Sequence, residues 1–336
     1  MIARGALLGA GLLITGCAAG GEQPQVPAIS DEASGALFVA GKFAGTLAKV
    51  DLATGEEVAR VESCANPHEL ATSPDDSYVA LACYGGTSVD LFRTDTLEKV
   101  RSIELGEGAR PHGIVWHANG NLYATAEGRQ SVFVIREPLG ETRTFEYSTG
   151  RQGSHMLAIA PDAMHAWTTD LGSRTVTRVD LVTRRAPYSV AVGEEPEGIA
   201  LSPDGETLWV SARGSDMAFA LDPQSLARVK DVPVGDFPLR IVLRPQGDYA
   251  VTSDLADGAL SVIDTATGAK VRTIAVSSRE EAEAKGQVTI LFSPDGQRIY
   301  VAETMADTIA EVDFATGKVL RRLPGEGGGD GIAIIE

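Results

Sequence analysis

A short turn-bearing phrase that occurs seven times constrains the fold of this 336-residue chain more than any other feature. Each copy ends an apolar strand with a polar turn, as in Val50-Asp51-Leu52-Ala53-Thr54-Gly55. The copies begin 41, 44, 44, 42, 42 and 49 residues apart, at Val50, Leu91, Ile135, Val179, Leu221, Ile263 and Val312. A repeat in the low forties with strand-like flanks is typical of a β-propeller blade. The sequence therefore predicts an all-β, seven-bladed β-propeller.

Residues 196–237 show how one blade is built. Four apolar runs are separated by turn residues such as Ser202-Pro203-Asp204-Gly205, in which Pro presets φ and Gly supplies a positive φ. Four strands in one repeat predict a four-stranded antiparallel blade. Residues 37–61 supply only three strands, and residues 331–335 supply one more. The C-terminal inner strand is therefore expected to join the N-terminal strands and close a ring that spans residues 35–336.

The N-terminus is typical of an export signal, with Arg4 followed by an apolar stretch too short to span a membrane. The run Ile14-Thr15-Gly16-Cys17 resembles a bacterial lipobox, which implies a signal peptide over residues 1–16 and a lipid on Cys17. Residues 17–34 are rich in Gly and Pro and are expected to be a flexible tether. By the same resemblance, Ala18 favours the periplasmic face of the outer membrane; an ordinary secretory signal is the alternative.

The charge of the chain argues against one class of partner. The net charge is −17, and no basic stripe is present, so nucleic acid is not expected as a ligand. We expect a soluble, extracytoplasmic monomer that the lipid anchor holds to the membrane and that binds a small-molecule or protein ligand.

Several phrases resemble those of the YVTN-repeat, or YncE-like, seven-bladed propellers over about residues 35–336. They include Pro111-His112-Gly113-Ile114, Arg298-Ile299-Tyr300-Val301-Ala302 and Val262-Ile263-Asp264. Related propellers include 6-phosphogluconolactonase-like lactonases, virginiamycin B lyases and extracytoplasmic binding proteins. The run of residues 167–173 looks lactonase-like, but no lactonase catalytic set maps onto this sequence. The resemblance therefore implies a fold rather than an activity.

Two columns of residues are expected to line one mouth of the ring, where inner strands begin and second strands end. The first column is His68, His112, His155, Glu197, Leu239, Val288 and Asp330. The second column is Gly41, Cys83, Ala126, Asp170, Ala212, Asp254 and Glu303. Lys42, Tyr84, Glu127, Arg213 and Thr304 stand just beyond the second column, and Arg240 stands one place beyond Leu239. The expected ligand-binding set is His68, His112, His155, Glu197, Arg213, Arg240, Asp254, Glu303 and Asp330.

Three of the five histidines share one register in consecutive blades. His68, His112 and His155 could bind a divalent metal such as Zn²⁺. Alternatively, His112 and His155 could serve in acid–base catalysis, or all three could only cap strands. Asp170 is expected to lie beside His155 across the hairpin and to orient its ring, which makes it the third catalytic candidate.

Cys64 precedes His68 by four residues, Cys83 is expected opposite His68 across the hairpin, and both are expected at the mouth. A disulfide would attach the incoming segment to the following blade in an oxidising compartment. The alternative is a thiolate that helps His68 to hold a metal.

These features leave two functional hypotheses. The first is a lipid-anchored propeller that binds a ligand or partner at its mouth without turnover, with no certain cofactor. The second is an enzyme, a lactone hydrolase or a metal-assisted lyase that uses His112, His155 and a mouth carboxylate.

Overall fold

The computed structural model describes residues 33–325 and 327–336. The expected signal peptide, the lipidation site Cys17 and most of the expected tether lie outside these residues. Among the described residues, no helix is long and apolar enough to cross a membrane.

The described chain forms seven four-stranded antiparallel sheets, which confirms the predicted seven-bladed propeller. Blades 1 to 6 follow one another in the chain, and each runs from an inner to an outer strand. Blade 1 has β4 (Pro67–Thr72), β5 (Tyr78–Cys83), β6 (Ser88–Arg93) and β7 (Lys99–Glu104). Blade 2 has β8 (Pro111–Trp116), β9 (Leu122–Ala126), β10 (Ser131–Arg136) and β11 (Arg143–Ser148). Blade 3 has β12 (Ser154–Ile159), β13 (His165–Asp170), β14 (Thr175–Asp180) and β15 (Tyr188–Ala191).

The second half of the ring continues in the same way. Blade 4 has β16 (Pro196–Leu201), β17 (Leu208–Ala212), β18 (Met217–Leu221) and β19 (Arg228–Pro233). Blade 5 has β20 (Pro238–Leu243), β21 (Tyr249–Asp254), β22 (Ala259–Asp264) and β23 (Lys270–Ala275). Blade 6 has β24 (Gln287–Phe292), β25 (Arg298–Glu303), β26 (Thr308–Asp313) and β27 (Val319–Pro324).

The seventh blade closes the ring as predicted. Its inner strand is β28 (Gly329–Ile335), which pairs with β1 (Ala36–Gly41) in the sheet that also holds β2 (Thr46–Asp51) and β3 (Glu57–Glu62). The pairing sets Ala36 opposite Ile335 and Phe38 opposite Ala333. Both ends of the described chain are therefore held in one sheet, and no inner edge is left open.

The apolar core lies between neighbouring blades rather than inside any one of them. One cluster joins Leu91 of blade 1 to Ile114 and Trp116 of blade 2, and similar clusters recur around the ring. The inner strands approach one another closely. A Cβ on Gly331 would lie 2.0 Å from the backbone oxygen of His68, so only glycine fits there. This close approach brings mouth side chains from different blades into contact.

The insertion before β24 forms one short helix, α1 (Ala282–Lys285), which ends at Gly286 in the left-handed conformation. Three 3-10 turns follow strands on the same face, at Glu127–Arg129, Leu255–Asp257 and Thr304–Ala306. The helix packs against the second and third of these turns.

Candidate functional site

The first predicted column does converge at the mouth of the ring. Each of its members is the second residue of an inner strand, and His68, His112, His155, Glu197 and Asp330 are all buried. Leu239 occupies the same position in blade 5 and is apolar. Since the inner strands start at the same face, five chemically active side chains from five blades meet in one space.

The three histidines form a chain of ring contacts. The ring centroids of His112 and His155 lie 3.7 Å apart, with a tilt of 34°. The ring of His68 meets that of His112 edge-on at 4.6 Å and stacks on Tyr84 at 4.6 Å, with an angle of 6° between the planes. His68 Nδ1 also lies 3.6 Å from a carboxylate oxygen of Asp330.

His155 is held between two carboxylates from the neighbouring blades. Its Nδ1 lies 2.5 Å from Oε1 of Glu127, and its Nε2 lies 2.8 Å from Oε1 of Glu197. Burial acts to lower the pKa of His155, but attraction to Glu197 and hydrogen bonds to both carboxylates outweigh it and raise the pKa to about 9. His155 is therefore an imidazolium at neutral pH, and each ring N–H donates to a carboxylate.

His112 is shifted in the opposite direction. Burial is the main cause, and the positive charge of His155 adds to it, so that the pKa of His112 falls well below 6.5. Its Nδ1 has no hydrogen-bond partner among the described residues. His112 is thus a neutral imidazole in ring contact with a charged one.

Arg240 ties the network together across the channel. Its guanidinium donates to Glu197 at 2.7 Å and to Glu69 at 2.6 Å. Burial acts to lower the pKa of Arg240, but the charges of Glu69 and Glu197 keep it above its ordinary value. Burial likewise acts to raise the pKa of Glu197, and the charges of His155 and Arg240 outweigh it and hold that pKa below 4.5. Arg240 and Glu197 are therefore both ionised, and each is paired with an opposite charge.

A more exposed rim surrounds these buried groups. The Tyr84 hydroxyl donates to Glu127 at 2.6 Å and accepts a hydrogen bond from Arg110. Lys42 bonds Asp330 at 3.0 Å, and Arg213 forms an ion pair with Glu197 at 2.9 Å. The side chain of Glu127 is 12% exposed, against 5% for Glu197. Glu127 is therefore the carboxylate of the His155 pair that a ligand at the mouth reaches first.

The three carboxylates of the second predicted column do not line the mouth, contrary to expectation. Asp170 pairs with Ser154, one residue before His155, and a register shift follows between Ser154 and Leu157. Its carboxylate accepts hydrogen bonds from four hydroxyls of its own blade, Ser154, Thr168, Thr175 and Thr177. The expected contact between Asp170 and His155 is therefore not formed, because alternation along β13 turns Asp170 into the blade.

The side chains of Asp254 and Glu303 also turn into their own blades. Asp254 accepts from Thr252 and Ser261 in blade 5, and burial raises its pKa to about 6. Glu303 accepts from Thr308 and pairs with Arg322 in blade 6. Both residues were expected to bind a ligand, but they stabilise their blades and do not line the mouth, because side chains alternate along a strand.

The expected metal set is brought together in part. Ligand atoms of His112, Glu127 and His155 all lie within 4.8 Å of one another, whereas His68 is not a member of that group. In this structure Cys64 and Cys83 form a disulfide, so neither sulfur is a free thiolate beside His68.

Several residues of this network stand outside the ligand-binding set expected from the sequence. Glu127, Tyr84 and Lys42 stand one residue past the second column, where alternation turns the side chain back to the mouth. That alternation was the signal that could have found them. Glu69 stands one residue past the first column, and its partner Arg240 is 171 residues away in the chain.

Comparisons with known proteins agree with this architecture. Residues 41–269 match the family described as "Lactonase, 7-bladed beta-propeller". A functionally unknown protein from Desulfotomaculum acetoxidans is similar in structure, with a TM-score of 0.74 and 14% identity over 90% of this chain and 99% of that one.

Two further solved structures share the fold. Kuenenia stuttgartiensis hydrazine synthase matches with a TM-score of 0.69 and 17% identity, over 88% of this chain and 99% of that one. A streptogramin B lyase structure matches with a TM-score of 0.66 and 14% identity, over 76% and 82%. Among curated proteins, no relative matches the chain.

Proposed function

Because this chain belongs to the lactonase family of seven-bladed β-propellers, we propose that it hydrolyses a lactone at its mouth by acid–base catalysis. One observation carries the proposal: two imidazoles, His112 and His155, lie in ring contact with pKa values displaced in opposite directions. Titratable groups whose surroundings separate their pKa values in this way mark the acid and the base of a reaction.

His112 is the general base in this proposal. As a neutral imidazole with an unpartnered Nδ1, it accepts a proton from a water molecule as the water oxygen bonds to the lactone carbonyl carbon. The carbonyl oxygen becomes negative at this point, and the imidazolium of His155 supplies nearby positive charge in a site of low solvent access.

The ring carbon–oxygen bond then breaks, and its oxygen takes a proton. The available proton is the one that His155 Nδ1 donates to Glu127, since Glu127 is the carboxylate of the pair that is exposed at the mouth. His112, now protonated, returns its proton to His155 and Glu127, and a hydroxy acid leaves. Glu197 is a positioning residue that holds His155 charged and in place, and Arg240 in turn holds Glu197.

The test is a set of five- and six-membered lactones, with ring opening followed by acid release in a pH-stat. We expect measurable turnover by the wild-type protein and a loss on the order of 10²-fold or more in His112→Gln and in His155→Gln. His165→Gln is the matched control, because His165 begins β13 at the far end of its hairpin, and it should keep the wild-type rate. Saturable lactone binding without acid release would overturn hydrolysis and favour ligand binding without turnover.

A divalent metal is the second candidate, favoured by the grouping of His112, Glu127 and His155. Zn²⁺ takes imidazole and carboxylate ligands, but only from a deprotonated nitrogen. The raised pKa of His155 opposes metal binding at neutral pH, so this candidate predicts Zn²⁺ uptake that strengthens towards pH 9. Elemental analysis of the purified protein and calorimetric titration of Zn²⁺ into the wild type and into His112→Gln test this candidate. One tightly bound ion at neutral pH would favour the metal-assisted reaction over the metal-free one.

The proposal also includes where the protein acts. We propose a YncE-like member that is exported, lipidated on Cys17 and held as a monomer at the periplasmic face of the outer membrane. The sequence around Cys17 supports this, and the acidic net charge suits an exported soluble domain. Labelling with a radioactive fatty acid tests it: incorporation should vanish in Cys17→Ser, and incorporation that persists would contradict the anchor.

A further inference from the structure

A separate cavity of about 460 Å³ lies in the central channel beyond the mouth network. Its walls come from the inner strands β4, β12, β16, β20, β24 and β28. The ion pair between Arg240 and Glu69 forms its end on the mouth side. Pro203 and Pro245 line the other end, and both stand in hairpin turns of the opposite face. The cavity is therefore entered from the face opposite the histidines.

The walls of this channel cavity are mainly apolar. Leu70, Met156, Ile199, Leu243 and Leu291 contribute to them, from five different blades. The volume falls within the range of small-molecule sites, which are mostly apolar with a few placed polar groups.

Two buried polar atoms on residues that line the cavity have no partner among the described residues. They are the hydroxyl of Thr289, a residue that is 6% exposed, and the Nε of Arg240. Both can donate a hydrogen bond. The charge of Arg240 is already balanced by Glu69 and Glu197, so a ligand anion would face a compensated pair and the Glu69 carboxylate. The partner that these two donors lack is therefore a neutral hydrogen-bond acceptor.

We propose that the channel cavity is a second binding site, for a neutral apolar molecule that carries one carbonyl group. The apolar part lies along the walls, and the carbonyl oxygen accepts from Thr289 and Arg240. This site is distinct from the mouth and does not depend on lactone hydrolysis there.

Binding of Prodan tests the proposal, because this fluorophore is neutral and apolar and carries a single ketone. We expect saturable 1:1 binding with a blue-shifted emission, displaced by methyl decanoate but not by decanoate at pH 7. Ala200→Phe adds a ring at a partly exposed wall position and should weaken Prodan at least about tenfold. Ala53→Phe makes the same change at an exposed outer turn and should leave binding unchanged.

Thr289→Val is a second variant, which removes the hydroxyl at nearly constant volume. It keeps the test decisive if Ala200→Phe does not fold. It should weaken Prodan by about threefold to tenfold and leave 2-dimethylaminonaphthalene, which lacks the ketone, unaffected. Wild-type-like binding of Prodan by both wall variants would overturn the proposal. So would binding that Ala53→Phe reduces as much as Ala200→Phe does, since that would place the probe on the surface.

Discussion

Replacing Glu127 by Gln tests the electrostatics of the mouth at the residue best suited to it. The substitution keeps an oxygen that can accept from His155 Nδ1 and removes the negative charge, while an amide nitrogen replaces the oxygen that accepts from Tyr84. The rise in the pKa of His155 from 6.5 to about 9 corresponds to about 3 kcal/mol in favour of the imidazolium. Glu197 is the larger raising influence and Glu127 the next. We therefore expect the pKa of His155 to fall by about one unit, or about 1.4 kcal/mol, and to stay above 6.5.

The assay is a ¹⁵N NMR titration of the imidazole nitrogens, with the five histidines assigned by single His→Gln variants. Glu146→Gln is the matched control, since Glu146 pairs with Arg129 in the same blade, away from His155, and it should not move the titration. A wild-type His155 that titrates at or below 6.5 would refute the reasoning. An unchanged titration in Glu127→Gln would refute the role given to Glu127.

The raised pKa of His155 also makes the free energy of unfolding depend on pH. A histidine whose folded-state pKa lies above its unfolded value stabilises the fold fully below pH 6.5, and this contribution is lost as pH rises through about 9. In urea unfolding, the wild-type free energy should fall over that interval by up to about 3 kcal/mol more than that of His155→Gln.

Three further predictions follow from the fold and the network. Arg240→Met leaves the buried Glu69 without its counter-charge and removes one of the three cations paired with Glu197, and it should lower the free energy of unfolding by about 3–5 kcal/mol in urea. A loss within about 0.5 kcal/mol would contradict the stabilising role given to Arg240. Deleting residues 329–336 removes the closing strand β28 and should abolish the cooperative thermal transition, so a truncated protein with the wild-type melting temperature would contradict ring closure. Cys64→Ala with Cys83→Ala removes the disulfide and should cost about 2–4 kcal/mol, an expectation that equal unfolding curves with and without reductant would contradict.

The ring could be read from the sequence because its signals are local. The repeated phrase, the turn before each second strand and the single inner strand at the C-terminus depend on nearby residues, and together they define seven blades. The first mouth column was predicted for the same reason, since counting back from a turn within one hairpin places His68, His112 and His155 at equal height.

The side-chain pairing could not be read in this way. The error at Asp170 came from treating a hairpin as perfectly regular, whereas a register shift at the start of β12 and strand alternation separate Asp170 from His155. The pairing of Arg240 with Glu69, across 171 residues, exists only once the ring has closed. The opposite pKa shifts of His112 and His155 depend in turn on the burial of His112 and on the carboxylates of Glu127 and Glu197 beside His155. The protonation states at the mouth therefore depend on contacts between side chains of different blades, which the repeat pattern does not specify.

The pH dependence of lactone turnover tests the central claim most directly, because it reports the protonation of the cluster during the reaction. We expect a plateau that is already reached at pH 6.5, because the pKa of His112 lies well below that value, and a loss of rate above an apparent pKa of about 9. This alkaline limb should move to lower pH in Glu127→Gln. A rate that keeps rising through pH 9 and 10, or an alkaline limb that Glu127→Gln leaves in place, would contradict the central claim.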